Sequence, residues 1–268
     1  MKLAVIGTGN MGQALVDGMV RQGRVEPTAL VVYDVDAEKA KLTAERNRAS
    51  WAATPAEAVA DATHVMMVVK PQVFSQAMGQ IVDHLGEDTV LVVVAAGVRV
   101  SSIRALAGPD RGIARVMPNT PALIGEGVSA VCFDRVSESG QSQIVSLLEA
   151  CGIVIPCDEK SVDILGAVSS TGPAWAMLFI EAMADGAVLS GLARDVAIRA
   201  AAATLAGAGR LVLETGLHPA VLKDQVCSPG GTTIEGIRAL EKGAFRSSVI
   251  EAVAAAMDKT EKMTSRNG

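Results

Sequence analysis

A chain of 268 residues is long enough for two ordinary domains, each with its own core. Half of its residues are apolar but only 3% are aromatic, so Ala, Val, Leu, Ile and Met must fill the interior, which favours close helix packing. A formal net charge of −5 with so few rings excludes a broad phosphate-binding surface and a stacking platform, and nucleic acid is not an expected partner.

The chain opens in a strand over residues 3–6 without a basic or apolar leader, which predicts a cytoplasmic protein. Gly7-Thr8-Gly9-Asn10-Met11-Gly12 follows and runs into an amphipathic helix over 11–21. In that context the glycines match a dinucleotide turn. Gly7 permits the tight bend, Gly9 lets backbone approach a pyrophosphate, and Gly12 lets helix pack on sheet. A second strand, 30–33, ends at Asp34, whose carboxylate either accepts from an adenosine ribose hydroxyl or caps the helix expected over 37–46. The ribose reading points to NADH. With NADPH the same carboxylate would face a phosphate about 4 Å away, at a cost of up to about 4 kcal/mol at an effective dielectric near 20. Lys39 and Lys41 could soften this only by reaching back.

Further strands are expected at 65–69, 90–94, 113–117, 128–133 and 152–155, with helices at 72–85 and 138–150. Strands that are apolar throughout and separated by helices imply a parallel sheet covered on both faces, the doubly wound α/β plan. Ligands of such sheets bind beyond the C-terminal ends of the strands. Ile6 and the glycine turn are therefore joined as cofactor contacts by Val68, Val69, Lys70 and Pro71, by Ala95, Ala96 and Gly97, and by Asn119 in the run Met117-Pro118-Asn119-Thr120-Pro121. Lys70 either meets phosphate or ribose or stays solvated, and Asn119 offers both a donor and an acceptor.

After Asp158 the strand pattern stops, and Ala, Gly and Leu recur at helical spacing. The division expected is a dinucleotide-binding domain over 1–158 and an all-helical domain over 159–268. The uncharged run 164–180 holds Ser169, Ser170, Thr171, Gly172 and Pro173 at its centre, so buried protein is expected there and not a membrane span. A long helix over 194–214, lined with alanine, lets other backbones approach closely. An obligate dimer follows, with a compact monomeric bundle as the alternative. The stretch from Asp224 to Gly236 contains Ser228, Pro229, Gly230, Gly231, Thr232 and Thr233 at a helix start. Its outward N–H groups suit a small carboxylate, although Thr232 and Glu235 also have the spacing of a capping box. The four cysteines lack CxxC spacing and no metal site is expected.

Taken in order, residues 6–12, 68–71, 95–97, 115–121, 169–174 and 222–241, with Gly243, Phe245 and Arg246, resemble the pyrroline-5-carboxylate reductase family over nearly the whole chain. The resemblance implies an α/β Rossmann domain followed by an all-α dimerisation domain, with homodimers and often rings of dimers. It implies NADPH or NADH as hydride donor and reduction of the cyclic imine 1-pyrroline-5-carboxylate to L-proline, the last step of proline biosynthesis. Residues 228–233 then grip the substrate carboxylate, with Gly231 and Thr232 giving N–H groups. The ring imine is basic enough to be partly iminium near neutral pH, so positioning can supply most of the catalysis. Thr233 is the first candidate to hydrogen-bond the ring nitrogen and Thr171 the second.

The chain departs from the family pattern at Ser170 and Thr171, where Gly and Ser are usual, at Trp175, and at Asp34, where a small or polar residue commonly goes with NADPH. A β-hydroxyacid dehydrogenase shares the turn at 7–12 but relies on a lysine in the helix entering its second domain, and none occurs from Pro173 through Leu222. A noncatalytic dinucleotide-sensing dimer would leave the 228–233 turn without a purpose.

Overall fold

The computed structural model describes residues 1–267, and side chains through residue 262. Eight strands form one sheet: β1 (Leu3–Ile6), β2 (Leu30–Tyr33), β3 (Ser50–Trp51), β4 (His64–Met67), β5 (Val90–Val93), β6 (Ile113–Met117), β7 (Gly127–Asp134) and β8 (Gly152–Pro156). Their order is β3-β2-β1-β4-β5-β6-β7-β8. Helices α1 (Asn10–Arg21), α2 (Ala37–Asn47), α3 (Pro55–Val59), α4 (Pro71–Gly79), α5 (Val100–Ala107) and α6 (Glu138–Glu149) cover it.

The two-residue period of a strand divides the core. Leu3 and Val5 of β1, Met66 of β4 and Val92 of β5 enter one cluster with Leu15, Val16 and Met19 of α1, Ala40 and Ala44 of α2, and Ile144 and Leu147 of α6. Ala4, Ile6, Val65, Met67, Leu91 and Val93 enter the other, with Val59 of α3, Phe74 and Met78 of α4, and Ile103 of α5. Truncating one of these fully buried aliphatic side chains to alanine costs about 2–5 kcal/mol.

The sheet is not wholly parallel. β7 runs antiparallel to β6, and β8 is parallel to β7. Only a short 3₁₀ turn, Thr120–Ile124, closed by the left-handed Gly125, separates β6 from β7. A parallel return needs a crossover of a dozen residues or more, so this link can only reverse the chain. The two-residue β3 and short α3 were absent from the sequence expectation. The helix expected over 72–85 stops at Gly79, with a separate 3₁₀ turn at Val82–His84.

Two compact units divide the chain. One is Met1–Thr171 with the end of the last helix from Ala256, and the other is Gly172–Ala255. Helix α7 (Glu159–Ser169) packs on β6 and β7 and groups with the first unit. The second unit holds α8 (Gly172–Leu189), α9 (Arg194–Thr215), α10 (Pro219–Val226), α11 (Thr232–Lys242) and the start of α12 (Phe245–Asn267). Ala184 meets Ala197 and Ala201 where α8 packs on α9, small side chains allowing the close approach. Within this unit Leu178, Leu189, Leu213 and Ile250 are each at least 65% exposed, an apolar surface that a lone chain leaves uncovered.

His64, at the start of β4, is buried. The Thr63 hydroxyl lies 3.1 Å from the Lys2 carbonyl and 3.0 Å from His64 Nδ1, with which it shares a hydrogen bond. Nε2 has no partner. Burial first, and the N-terminal ammonium second, hold the imidazole below its ordinary value of 6.5. Below pH 6.5 an unfolded chain takes up a proton that the folded one resists, so stability is intact above that pH and falls beneath it. Urea unfolding from pH 7 to 5 should show this loss, at no more than about 1.4 kcal/mol per pH unit for one proton. His64→Asn, which keeps a hydrogen-bonding group toward Thr63, should flatten that slope.

Candidate active site

The parallel strands β1, β2, β4 and β5 end along one edge. There the turn after β1 is packed backbone to backbone. Gly7 has φ 103°, and a Cβ on it would lie 2.2 Å from the Val68 carbonyl oxygen. A Cβ on Gly12 would lie 2.0 Å from the Gly7 carbonyl oxygen. Neither position admits a side chain. Gly9 is different, being exposed with nothing within 4 Å of an added Cβ. It is also the N-cap of α1 and supplies no side-chain cap, so the first N–H groups of α1 are left uncapped. Asn10 is exposed beside it, while Ile6 is buried and Met11 packs against the core.

Asp34 lies at the end of β2 and reaches this turn. One carboxylate oxygen accepts from the Thr8 N–H at 2.6 Å and from the Thr8 hydroxyl at 3.2 Å, and the other accepts from the Asp36 N–H at 3.0 Å. Thr8, expected as a cofactor contact, is fully buried with both donors turned to Asp34. It supports the turn from beneath. Gln13 Nε2 donates to the Thr8 carbonyl at 2.9 Å, a brace that no motif announced.

Val68 and Val69 follow β4 and are half-buried, and Val68 N–H donates to the Ile6 carbonyl at 2.8 Å. Lys70 is the exposed N-cap of α4, with Pro71 at the first helical position. Ala95, Ala96 and Gly97 form the turn after β5, with Gly97 at φ 73° and Val98 N–H donating to Ala95 at 3.3 Å. Asn119 departs from expectation. It is buried, its Nδ2 donates to the Ser169 carbonyl at 2.8 Å and its Oδ1 accepts from the Val128 N–H at 2.8 Å. Both polar ends are engaged within the fold, and Ser170 Oγ adds a bond to the Pro118 carbonyl at 3.2 Å. The run around Asn119 anchors the end of α7. Thr171, just beyond, donates its hydroxyl proton to the Ala167 carbonyl.

In the second unit, Ser228, Pro229 and Gly230 form a turn, with Gly230 at φ 66° and Gly231 N–H donating to the Ser228 carbonyl at 3.1 Å. Gly231 is the N-cap of α11, and Thr232 and Thr233 are its first residues. The capping-box alternative does not hold, because the cap is a glycine and Glu235 pairs with Arg238 at 2.9 Å. The N–H groups that open this helix therefore have no side-chain cap. Burial raises the thiols of Cys132 and Cys151 to about 11, and that of Cys157 upward, so none is a ready nucleophile at neutral pH. Among the described residues no group of three or more His, Cys, Asp or Glu side chains is placed to hold a metal.

An open sheet with strand order 3-2-1-4-5-6, a glycine turn between β1 and β4 and a carboxylate ending β2 defines a dinucleotide-binding protein of the Rossmann class. The comparisons with known proteins agree and go further. Residues 159–263 match the family model described as pyrroline-5-carboxylate reductase dimerisation, and residues 2–97 match one described as NADP oxidoreductase, coenzyme F420-dependent. Pyrroline-5-carboxylate reductase of Escherichia coli K12 is 38% identical over 98% of both chains. A solved pyrroline-5-carboxylate reductase from Coxiella burnetii superposes with a TM-score of 0.93 at 29% identity, covering 98% of each chain. One from Plasmodium falciparum with NADP bound gives 0.88 at 30% identity, with the same coverage. The chain belongs to the pyrroline-5-carboxylate reductase family, and is an NAD(P)H-dependent oxidoreductase acting on a C=N bond.

The glycine geometry separates two kinds of damage. Gly12→Ala should lower both the thermal midpoint and the affinity for a nicotinamide dinucleotide, since its methyl strikes backbone. Gly9→Ala should leave the melting temperature within about a degree, because its methyl meets no protein atom, yet weaken binding at least about tenfold by blocking the face a pyrophosphate would approach. Equal binding by the Gly9 variant and the parent in a fluorescence titration would place the dinucleotide elsewhere.

Proposed function

We propose that the protein reduces 1-pyrroline-5-carboxylate to L-proline, with NADH as the preferred donor. The observation that carries this reading is the full-length match at 38% identity to a reductase of that name, on a chain whose β1 turn has no room for side chains at Gly7 and Gly12. When bound, the dinucleotide supplies the hydride. Residues 6–12 form its floor, Gly9 and the start of α1 face its pyrophosphate, and residues 68–71 and 95–97 flank it.

The side chains around Asp34 support NADH. Asp34 and Asp36 stand together after β2, and Lys39 holds the Asp36 carboxyl below its ordinary value. Lys39 is paired with Asp36 at 3.1 Å and Lys41 with Glu38 at 3.0 Å, so neither lysine is left to balance an added phosphate. A ribose hydroxyl can still donate to Asp34, since a carboxylate has about four acceptor positions and three are engaged.

The uncapped start of α11 suits the substrate carboxylate, with Thr232 offering its N–H at the positive end of the helix; the Gly231 N–H, expected to join it, is given to the Ser228 carbonyl and instead shapes the turn with Ser228 and Gly230. Thr233 holds the ring nitrogen. Thr171, the second candidate, gives its own proton to Ala167 and so offers a ligand only an acceptor. Residues 159–268 act as the dimerisation domain, and the match to the dimerisation family over 159–263 supports a second copy as the cover for its apolar side chains. Two helical runs, Glu159–Leu189 and Arg194–Thr215, are long and apolar enough to cross a membrane by length and composition. In this reading their apolar faces meet a homodimer partner in the cytoplasm, with rings of dimers as the further assembly.

Absorbance assays with the imine and each dinucleotide test the proposal. NADH should support turnover, and Asp34→Asn should raise the NADPH-to-NADH ratio of kcat/KM at least about tenfold by removing a charge repulsion. An unchanged ratio would remove Asp34 from cofactor choice. Thr233→Ala should lower kcat at saturating substrate by about ten- to a hundredfold, the worth of one hydrogen bond to a charged group. Undiminished turnover would end its assigned role.

A further inference from the structure

Arg115 is a charged residue in the middle of β6 and is only 2% exposed. Its guanidinium leaves the sheet toward α7, where one nitrogen donates to the Asp163 carboxylate. Another donates to the Glu159 carbonyl at 3.4 Å and lies 3.6 Å from the Glu159 carboxylate. That carboxylate makes one more contact, accepting the Val100 N–H at 2.7 Å. Val100 is the first residue of α5, and the helix has no cap of its own because its N-cap, Arg99, gives no side-chain bond. Glu159 therefore caps α5 from across the fold, and Arg115 holds Glu159 in place.

The segment that enters α5 is the turn 95–99. Its other end is fixed by β5 and by the bond from Val94 N–H to the Met67 carbonyl at 2.8 Å. We propose that Glu159 is a positioning residue for the dinucleotide, holding the α5 end of the Ala95–Gly97 turn so that its backbone is ordered before the cofactor arrives. This rests on the assignment of that turn to the cofactor. Preorganisation of this kind acts on affinity, since a loose turn must be ordered at the moment of binding. Asp163 has a different task, neutralising Arg115 without touching α5.

The test is titration of NADH with wild-type protein and with Glu159→Ala, Glu159→Asp, Glu159→Gln and Asp163→Asn. Glutamine keeps an oxygen within reach of Val100 and loses the charge, whereas aspartate keeps the charge and loses the reach. The expected result is about five- to tenfold weaker binding for Ala and Asp, as for loss of a helix cap, with Gln within about twofold of wild type. In turnover the Ala and Asp variants should show a raised KM for the dinucleotide and little change in kcat at saturation. Asp163→Asn should lower the melting temperature and leave NADH affinity alone. The proposal is overturned if all Glu159 variants bind as wild type does, or if Asp binds normally while Gln does not. Binding by the wild-type chain is the separate check on the cofactor assignment, and the aspartate and glutamine pair still decides should the alanine variant not fold.

Discussion

The bonds from Thr8 to the Asp34 carboxylate tie the end of one strand to the turn that follows its neighbour, and the ligand edge is built outward from them. With Thr8 drawn inward, Gly9 is left at the surface and Gly7 is pressed on Val68, closer than any Cβ allows. Gly12 in turn lies against Gly7, which sets how near α1 approaches the sheet. Four backbone segments thus meet where the strand order switches direction. At Gly7, Val68 and Gly12 the contacts are backbone to backbone, so a change to one is transmitted to the others with no flexible side chain to absorb it.

Much of this architecture was legible because strand and helix periods are visible in apolar residues. The strand over 3–6 is apolar throughout, which told that both faces are covered, and its residues divide between two separate cores. β3 was not legible, since two half-exposed or exposed residues, Ser50 and Trp51, carry no periodic signal and owe their pairing to β2. The reversal at β7 escaped as well. An apolar strand looks the same in either direction, and only the shortness of the link from Met117 to Gly127 contained the information.

The site divides similarly. Glycines were readable because their constraint is local, and the start of α11 was placed within a residue, although its cap proved to be Gly231. Polar side chains were harder. Asn119 has the chemistry of a ligand contact, but its partners, Ser169 and Val128, are distant in sequence or reached only through folding. Glu159 and Arg115 carried no recognised spacing, and their meeting depends on where α7 lies. A sequence shows what a group can bond, and tertiary structure decides whether water, ligand or protein takes the bond.

The hairpin at the Rossmann sheet's far side changes the parity of the chain. Each helical crossover brings the next strand up in the same sense, so a uniformly parallel sheet would launch the helix after β8 from the ligand edge and send it away. With β7 and β8 inverted, α7 instead retraces β6. Its Glu159 and Asp163 sit at Arg115, Gly166 lies against Met117, and Ser169 reaches Asn119. The linker with Thr171 therefore emerges beside the turns assigned to the cofactor. One short connection thus decides at which edge of the sheet α7 ends.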